Sequence, residues 1–379
     1  MSRSRLLELL RSSPAFQASQ LGYVDHGVAD IEPFPFAAIV DHYEMKLALT
    51  LAVINPAIGG VLLLGPRGTA KTTAVRSLTD LLPDVRHSLC ENGCTEALLE
   101  AGGMDAICSQ CAQKVGYGEP LTRVERVRIV NLPLNARLED VVGGIDERLA
   151  VEQQRVRLER GILSLADGHV LYIDEVNMLD NAIANAILEA SAQGYYTVRM
   201  GPQKLSYRSK FLLIGTMNPE EGSLRPQLFD RFGLRPVVRG LAESEQRYQA
   251  YQHAIWYRRD PEGMAAAYAE QTLALAEEIN ESRLLLEQVV IGERAKQEGL
   301  ALVCGLGIES SRAEITLFEA ARAFAAANER ELVDVEDIVA VAAISLRFRQ
   351  TPGTDTFFER QEAEDTRIEA LTAETTSAL

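Results

Sequence analysis

Apolar residues in this chain follow two kinds of pattern, and the change comes near residue 241. Before it, short apolar runs recur at Val61 to Leu64, Val127 to Leu132, Val170 to Ile173, Phe211 to Thr216 and Pro236 to Val238. Such runs, separated by longer helical or irregular stretches, have the character of strands buried on both faces. They predict a three-layer α/β domain around about five parallel strands. Ahead of them, Tyr43 to Ile54 has helical spacing and is stopped by Asn55-Pro56. Beyond Leu241 the chain turns alanine-rich and helical. In "SSRAEITLFEAARAFAAANER" the residues Ile315, Phe318, Ala321, Arg322 and Ala325 recur at helical steps, with Ser311 and Glu314 placed as a capping box. Asp334 opens another helix, "VEDIVAVAAISLRF". The expected organisation is an arm over 1–33, an α/β core over 34–240 with a cysteine-rich insertion at 88–118, an all-α domain over 241–350, and an acidic, Thr-rich tail over 351–379.

Composition narrows the class. A chain of 379 residues has room for two domains with their own cores. With 47% hydrophobic residues and no apolar run approaching the membrane-spanning length of about 18, a soluble, cytoplasmic protein is expected. The N-terminal "LLELL" is interrupted by Glu8 and is too brief for a signal peptide. A formal charge of −16 disfavours a broad grip on nucleic acid.

The chemistry begins at "GGVLLLGPRGTAKTTAVRSL". A buried strand, a loop of Gly65, Pro66, Arg67, Gly68, Thr69 and Ala70, then Lys71, Thr72 and Thr73 opening a helix, form a phosphate-binding loop. Its N–H groups and the helix N-terminus face phosphate oxygens. Lys71 is placed for the β/γ-phosphates and the Thr72 hydroxyl for Mg²⁺. The usual pattern has a second glycine where this chain has Ala70. A residue already in the first helical turn, with φ near −60°, tolerates that methyl, and this is the expected geometry.

"HVLYIDEVNMLD" drives a strand into Asp174 and Glu175. Placed beside the loop-bearing strand, Asp174 completes the Mg²⁺ shell and Glu175 acts as base toward water. Asn218 ends another apolar strand, suited to orienting that water. Arg225 and Arg231 follow. An arginine that cannot reach its own phosphates can serve a neighbouring subunit, although a surface ion pair has the same spacing.

Cys90, Cys94, Cys108 and Cys111 form C-x₃-C-x₁₃-C-x₂-C. Two short-spaced pairs suit four thiolates around one tetrahedral, structural Zn²⁺; free thiols, redox or iron–sulfur chemistry are the alternatives. Cys304 stands alone and reads as a small core residue. His26, His42, His87, His169 and His253 show no metal-ligand spacing, though His87 is close to Cys90.

Together, "GGVLLLGPRGTAKTTAVRSLTDLLP", "VNLPLNARLEDVVGGID", "GILSLADGHVLYIDEVNMLD" and "GTMNPEEGSLRPQLFDRFGL" resemble the I subunit of magnesium chelatase, from residue 34 to 350. The resemblance implies an AAA+ P-loop NTPase core with a helical lid, in a homo-hexameric ring with ATP between subunits. It implies Lys71 and Thr72 as Walker A, Asp174 and Glu175 as Walker B, Asn218 as sensor 1, Arg231 as a finger in trans and Arg312 as sensor 2. It also implies hairpins in "VVGGIDERLAVEQQRVRLERG" and "GYYTVRMGPQKLSYRS". The implied partners are an integrin-domain (VWA) D-like subunit and a large H-like subunit that inserts Mg²⁺ into protoporphyrin IX, with this chain supplying ATP-driven remodelling. The sequence departs from the family at Pro66, Ala70 and Thr72, where G-D-R-G-T-G-K-S is usual, at Val40-Asp41-His42, where V-G-Q is usual, and in the cysteine insertion. A-K-T is similar to MoxR-type ATPases, so a MoxR-like or cobaltochelatase-like ATPase acting on another VWA partner is the alternative. A nucleotide-gated scaffold and a nucleic-acid motor are more distant readings.

Overall fold

The computed structural model describes residues 32–90, 93–145, 158–200, 203–222 and 224–349, with Leu6. Apart from Leu6, Glu32 and Pro33, the expected arm and tail lie outside the described residues, as does the middle of the first expected hairpin.

In chain order the elements are α1 (Tyr43–Ile54), β1 (Val61–Leu64), α2 (Lys71–Arg76), β2 (Asp84–Ser88), α3 (Glu96–Gly102), α4 (Ser109–Gly116), β3 (Thr122–Arg126), β4 (Ile129–Leu132), α5 (Leu138–Val142), β5 (Gly143–Ile145), β6 (Leu158–Arg160), α6 (Ile162–Leu165), β7 (Val170–Ile173), α7 (Asn181–Gln193), β8 (Tyr195–Met200), β9 (Gln203–Arg208), β10 (Leu212–Met217) and α8 (Pro226–Phe229). Helices then dominate: α9 (Ser244–Arg259), α10 (Pro261–Leu286), α11 (Glu293–Gly305), α12 (Arg312–Ala327) and α13 (Val335–Leu346), with the two-residue strands β11 (Val290–Ile291) and β12 (Leu332–Val333) among them.

The central sheet is parallel, in the order β1-β10-β7-β4. The expected fifth strand is present only as an edge: Val61 bridges Leu234 and Leu64 bridges Val237. Pro236, with no N–H, interrupts that ladder, while its carbonyl still accepts from Leu64 N at 3.0 Å. The order also corrects the expectation that the Asp174 strand adjoins the phosphate loop. β10 lies between β1 and β7, because apolar runs report burial and not neighbours.

Side chains alternate across the sheet. Val61, Leu63, Tyr172 and Ile214 face a layer with α1, and Leu62, Leu64, Leu171 and Ile173 face α7. The first layer continues into α10, α12 and α13 as one buried cluster, so the α/β and helical parts share a core where two separate cores were expected. The cause is α1: every residue from Met45 to Ile54 is buried, Lys46 and Thr50 included, so the helix is covered on all sides.

The same burial shifts details of α12. Ile315 is 56% exposed while Ala313, Leu317, Ala320, Ala321 and Phe324 are buried. Ser311 makes no side-chain cap, whereas Asp334 caps α13 with Asp337 in a full capping box. Cys304 is exposed, not core, because the buried stripe of α11 runs Ala295, Gly299, Val303 and Cys304 falls one step outside it.

Three two-stranded antiparallel pieces decorate the core. β2 pairs with β3 and carries the cysteine segment between them; β5 pairs with β6, and β8 with β9, where the resemblance implied hairpins.

Candidate functional site

The phosphate loop joins β1 to α2. Lys71 folds back over it, its Nζ donating to the carbonyls of Gly65 and Pro66, both at 2.7 Å. Burial holds the Lys71 pKa below its ordinary value, against the pull of Asp174, Glu221 and Glu175. Ala70 overturns the helical expectation: it is the residue before α2, with φ 61° and ψ 16°, in the left-handed region. Its carbonyl accepts from Ala74 N at 2.8 Å, so it precedes the first helical residue and its φ is set by the turn. A methyl there costs about 1–2 kcal/mol.

The acids point in different directions. Asp174 meets the Thr72 hydroxyl at 3.4 Å and accepts a short bond from the Thr216 hydroxyl. Thr216 Oγ1 in turn accepts from Glu175 N at 3.0 Å. Thr216 lies inside β10, and sequence reading passed over it because a threonine in an apolar strand looks like filler; its position two residues before Asn218 is the one available signal. Glu175 adopts φ 51°, which turns its carboxylate toward Arg67 Nη2 at 3.1 Å. Arg67 Nε also meets Glu221 at 2.7 Å, and Asn218 Nδ2 donates to the same Glu221 oxygen at 2.9 Å. The hydroxyl and carboxylate oxygens of Thr72 and Asp174 are hard donors fitting Mg²⁺.

A cavity of about 220 Å³ is lined by Arg67 through Thr73, Asp174, Glu175 and Thr216 through Asn218. A second, of about 520 Å³, shares Gly68, Thr69, Ala70 and Thr73 with it and runs between Phe34, Val40, His42, His253 and Tyr257. One polar compartment for phosphates opening into an apolar one for a base is the shape of a nucleotide site. Asp41 and His42 both have positive φ, at 54° and 52°. The expected glycine of V-G-Q would sit at Asp41 without strain. Of six non-glycine residues with positive φ among those described, His42, Ala70 and Glu175 line these cavities and Asp41 adjoins His42, the usual company of function.

The two predicted arginines are brought together, away from their own phosphate pocket. Arg312 Nη1 pairs with Asp230 at 2.9 Å, and Arg235 and Arg349 also approach that carboxylate. Arg231 has its Nε buried with no hydrogen bond among the described residues. Burial, then repulsion from Arg312, lowers its pKa. Arg225 instead donates to Asn185 at 3.3 Å.

Elsewhere, the sulfurs of Cys90, Cys94, Cys108 and Cys111 converge, all within 4.8 Å of one another. No helix among the described residues is long and apolar enough to cross a membrane.

Comparison with known proteins assigns the scaffold. An AAA domain of the dynein-related subfamily matches residues 120–232, and an AAA lid domain residues 301–371. A magnesium-chelatase subunit ChlI homolog from Methanocaldococcus jannaschii is 40% identical, over 84% of this chain and 86% of its own. The chloroplastic ChlI of Oryza sativa subsp. indica is 37% identical over 83% of this chain and 75% of its own, and the ChlI of Synechocystis 36% over 83% and 88%. A cryo-EM-based complex of magnesium-chelatase BchI and BchD aligns at 33% identity, over 84% of this chain and 96% of that one, with a TM-score of 0.45. The nucleotide site is thus that of an ATPase using ATP and Mg²⁺, and the chain belongs to the magnesium-chelatase I-subunit family of AAA+ ATPases.

Proposed function

We propose that this chain is the motor of a chelatase: a homo-hexameric ring that hydrolyses ATP at subunit interfaces and remodels a VWA-containing D-like partner, for Mg²⁺ insertion into protoporphyrin IX by an H-like subunit. Thr72 and Asp174 would hold the Mg²⁺, which would supply positive charge against the phosphates when bound. Lys71 leaves the loop carbonyls for the phosphate oxygens. Asn218 orients a water, and Glu175 takes its proton as the water oxygen bonds to the γ-phosphorus and the bridging oxygen leaves with ADP.

The observation that carries the ring is the placement of Arg231 and Arg312. Both lie by Asp230, outside the cavity lined by Lys71, Asp174, Glu175 and Asn218, whose own arginine, Arg67, is engaged by Glu175 and Glu221. Arg231→Ala should keep ATP binding and lose hydrolysis by about 10³-fold or more. Mixed with Glu175→Gln subunits, it should regain part of the activity, because some interfaces then join an intact Glu175 to an intact Arg231. Hydrolysis surviving in the single variant, or no recovery in the mixture, rejects the assignment.

The loop favours a second reading. Ala70-Lys71-Thr72 is similar to MoxR-type ATPases, and a MoxR-like or cobaltochelatase-like motor would act on a different VWA partner. Reconstitution with chelatase D and H subunits separates them: metalloporphyrin formation dependent on this chain supports the chelatase.

A further inference from the structure

The cysteine segment cannot hold itself together by apolar packing. Between β2 and β3 the buried apolar side chains among the described residues are Cys94, Ile107, Cys111 and Leu121, and α3 buries none at all. So small a core needs a staple. The cysteines supply one: they are free of disulfides, and their four sulfurs come within 4.8 Å of one another. Disulfides need only pairs to meet, whereas a tetrahedral tetrathiolate with metal–sulfur bonds of about 2.3 Å places all sulfurs about 3.8 Å apart. An iron–sulfur cluster interposes its own sulfides and spreads its ligands.

We propose that Cys90, Cys94, Cys108 and Cys111 bind one structural Zn²⁺, which fastens the segment to the root of the β8–β9 hairpin. Four thiols lose four protons to give a tetrathiolate complex of net charge −2, with no redox step. Two backbone N–H groups already aim at the sulfurs: Cys94 N donates to Cys90 Sγ and Cys108 N to Cys94 Sγ, both at 3.3 Å. Such bonds disperse thiolate charge in structural sites. Four protein ligands close the coordination sphere, so the site supports structure and not catalysis.

The fastening runs through Gly93, next to the second ligand. It adopts φ 69°, and a Cβ there would lie 2.1 Å from Arg208 Cδ. Arg208, at the end of β9, donates from Nη1 to Gly93 O at 2.7 Å. The following residue closes the root: Ser209 N donates to Gly194 O at 2.9 Å and its hydroxyl to Leu163 O at 2.6 Å. The metal loop therefore touches the hairpin where it enters β10, the strand of Thr216 that leads into Asn218.

The full chain, purified without chelators, should carry one zinc per chain by elemental analysis. Zinc should be lost in the Cys108→Ser, Cys111→Ser double variant, and Co²⁺ substitution should give the visible bands of a tetrahedral tetrathiolate. A metal-free chain with four freely reactive thiols, or stoichiometric iron, overturns the site. If the double variant does not fold, the metal content and cobalt spectrum of the unaltered chain decide. Hydrogen exchange tests the fastening: removing zinc, or Arg208→Ala with zinc retained, should speed exchange at Ser209 at least several-fold. Unchanged exchange there in both overturns the coupling, independently of any result on ATP hydrolysis.

Discussion

Arg67 holds Glu175 across 108 positions of sequence, guanidinium to carboxylate at 3.1 Å, while the neighbouring Asp174 turns away to Thr72 and Thr216. The two consecutive carboxylates thus meet different partners: Asp174 follows directly on β7, and Glu175 leaves the extended backbone with φ 51°.

Glu175→Gln keeps that geometry and removes the base. ATPase activity should fall about 10²–10⁴-fold, with ATP affinity changed by only a few-fold. Activity retained within a few-fold of the unaltered protein would move the base elsewhere.

At Ala70 the left-handed backbone predicts relief of strain by glycine. Ala70→Gly should stabilise the nucleotide-free protein by up to about 1 kcal/mol, the gain being offset in part by the freer unfolded chain. Equilibrium urea unfolding measures it. The ATP dissociation constant should stay within tenfold; a larger improvement would show that the methyl obstructs the phosphates.

Thr216 is the hinge of the metal side of the site, bonding both Asp174 and the Glu175 N–H. Thr216→Val preserves volume and removes both bonds. The Mg²⁺ concentration for half-maximal hydrolysis should rise about 10–100-fold, as when other supports of metal ligands are lost. A Mg²⁺ titration at saturating ATP is the measurement, and an unchanged midpoint contradicts the role.

Lys46 gives a pH signature. Burial lowers its pKa from 10.5 to about 8, against the pull of Asp41, while its Nζ donates to Ile39 O at 3.1 Å. Between about pH 8 and 10.5 the unfolded chain then binds more protons than the native one, so this residue makes stability rise with pH across that window. Below pH 8 both states are charged and the cost, of order 3 kcal/mol, is constant. The stability advantage of Lys46→Met over the unaltered chain should therefore shrink from pH 8 to pH 10. A difference independent of pH would disprove the shift.

Much of the site was legible in the residues. Strand followed by glycine loop and lysine, acids ending an apolar run, and asparagine ending another are local signals, since each needs only an element and its terminus. The fold class was legible for the same reason: burial on both faces writes itself as unbroken apolar runs such as Val61–Leu64 and Val170–Ile173. The α12 face was not. Alanines there are buried from several sides, and periodicity then gives no single direction, so Ile315 could not be told from a core residue.

The sequence by itself determined which residues end up lining the cavity around the phosphate loop, Lys71, Thr72, Asp174, Glu175 and Asn218 among them, and that four cysteines come in two close pairs. Tertiary structure alone decided that β10 separates β1 from β7 and puts Thr216 between the acids, and that Ala70 and Glu175 are left-handed. It alone carried Arg312 to Asp230, beside Arg231, and brought Arg208 against Gly93. The reason is common to all four: local patterning encodes which face an element buries, whereas strand order, the sign of φ at a turn and the partner of a charged group are fixed by contacts made across long stretches of chain.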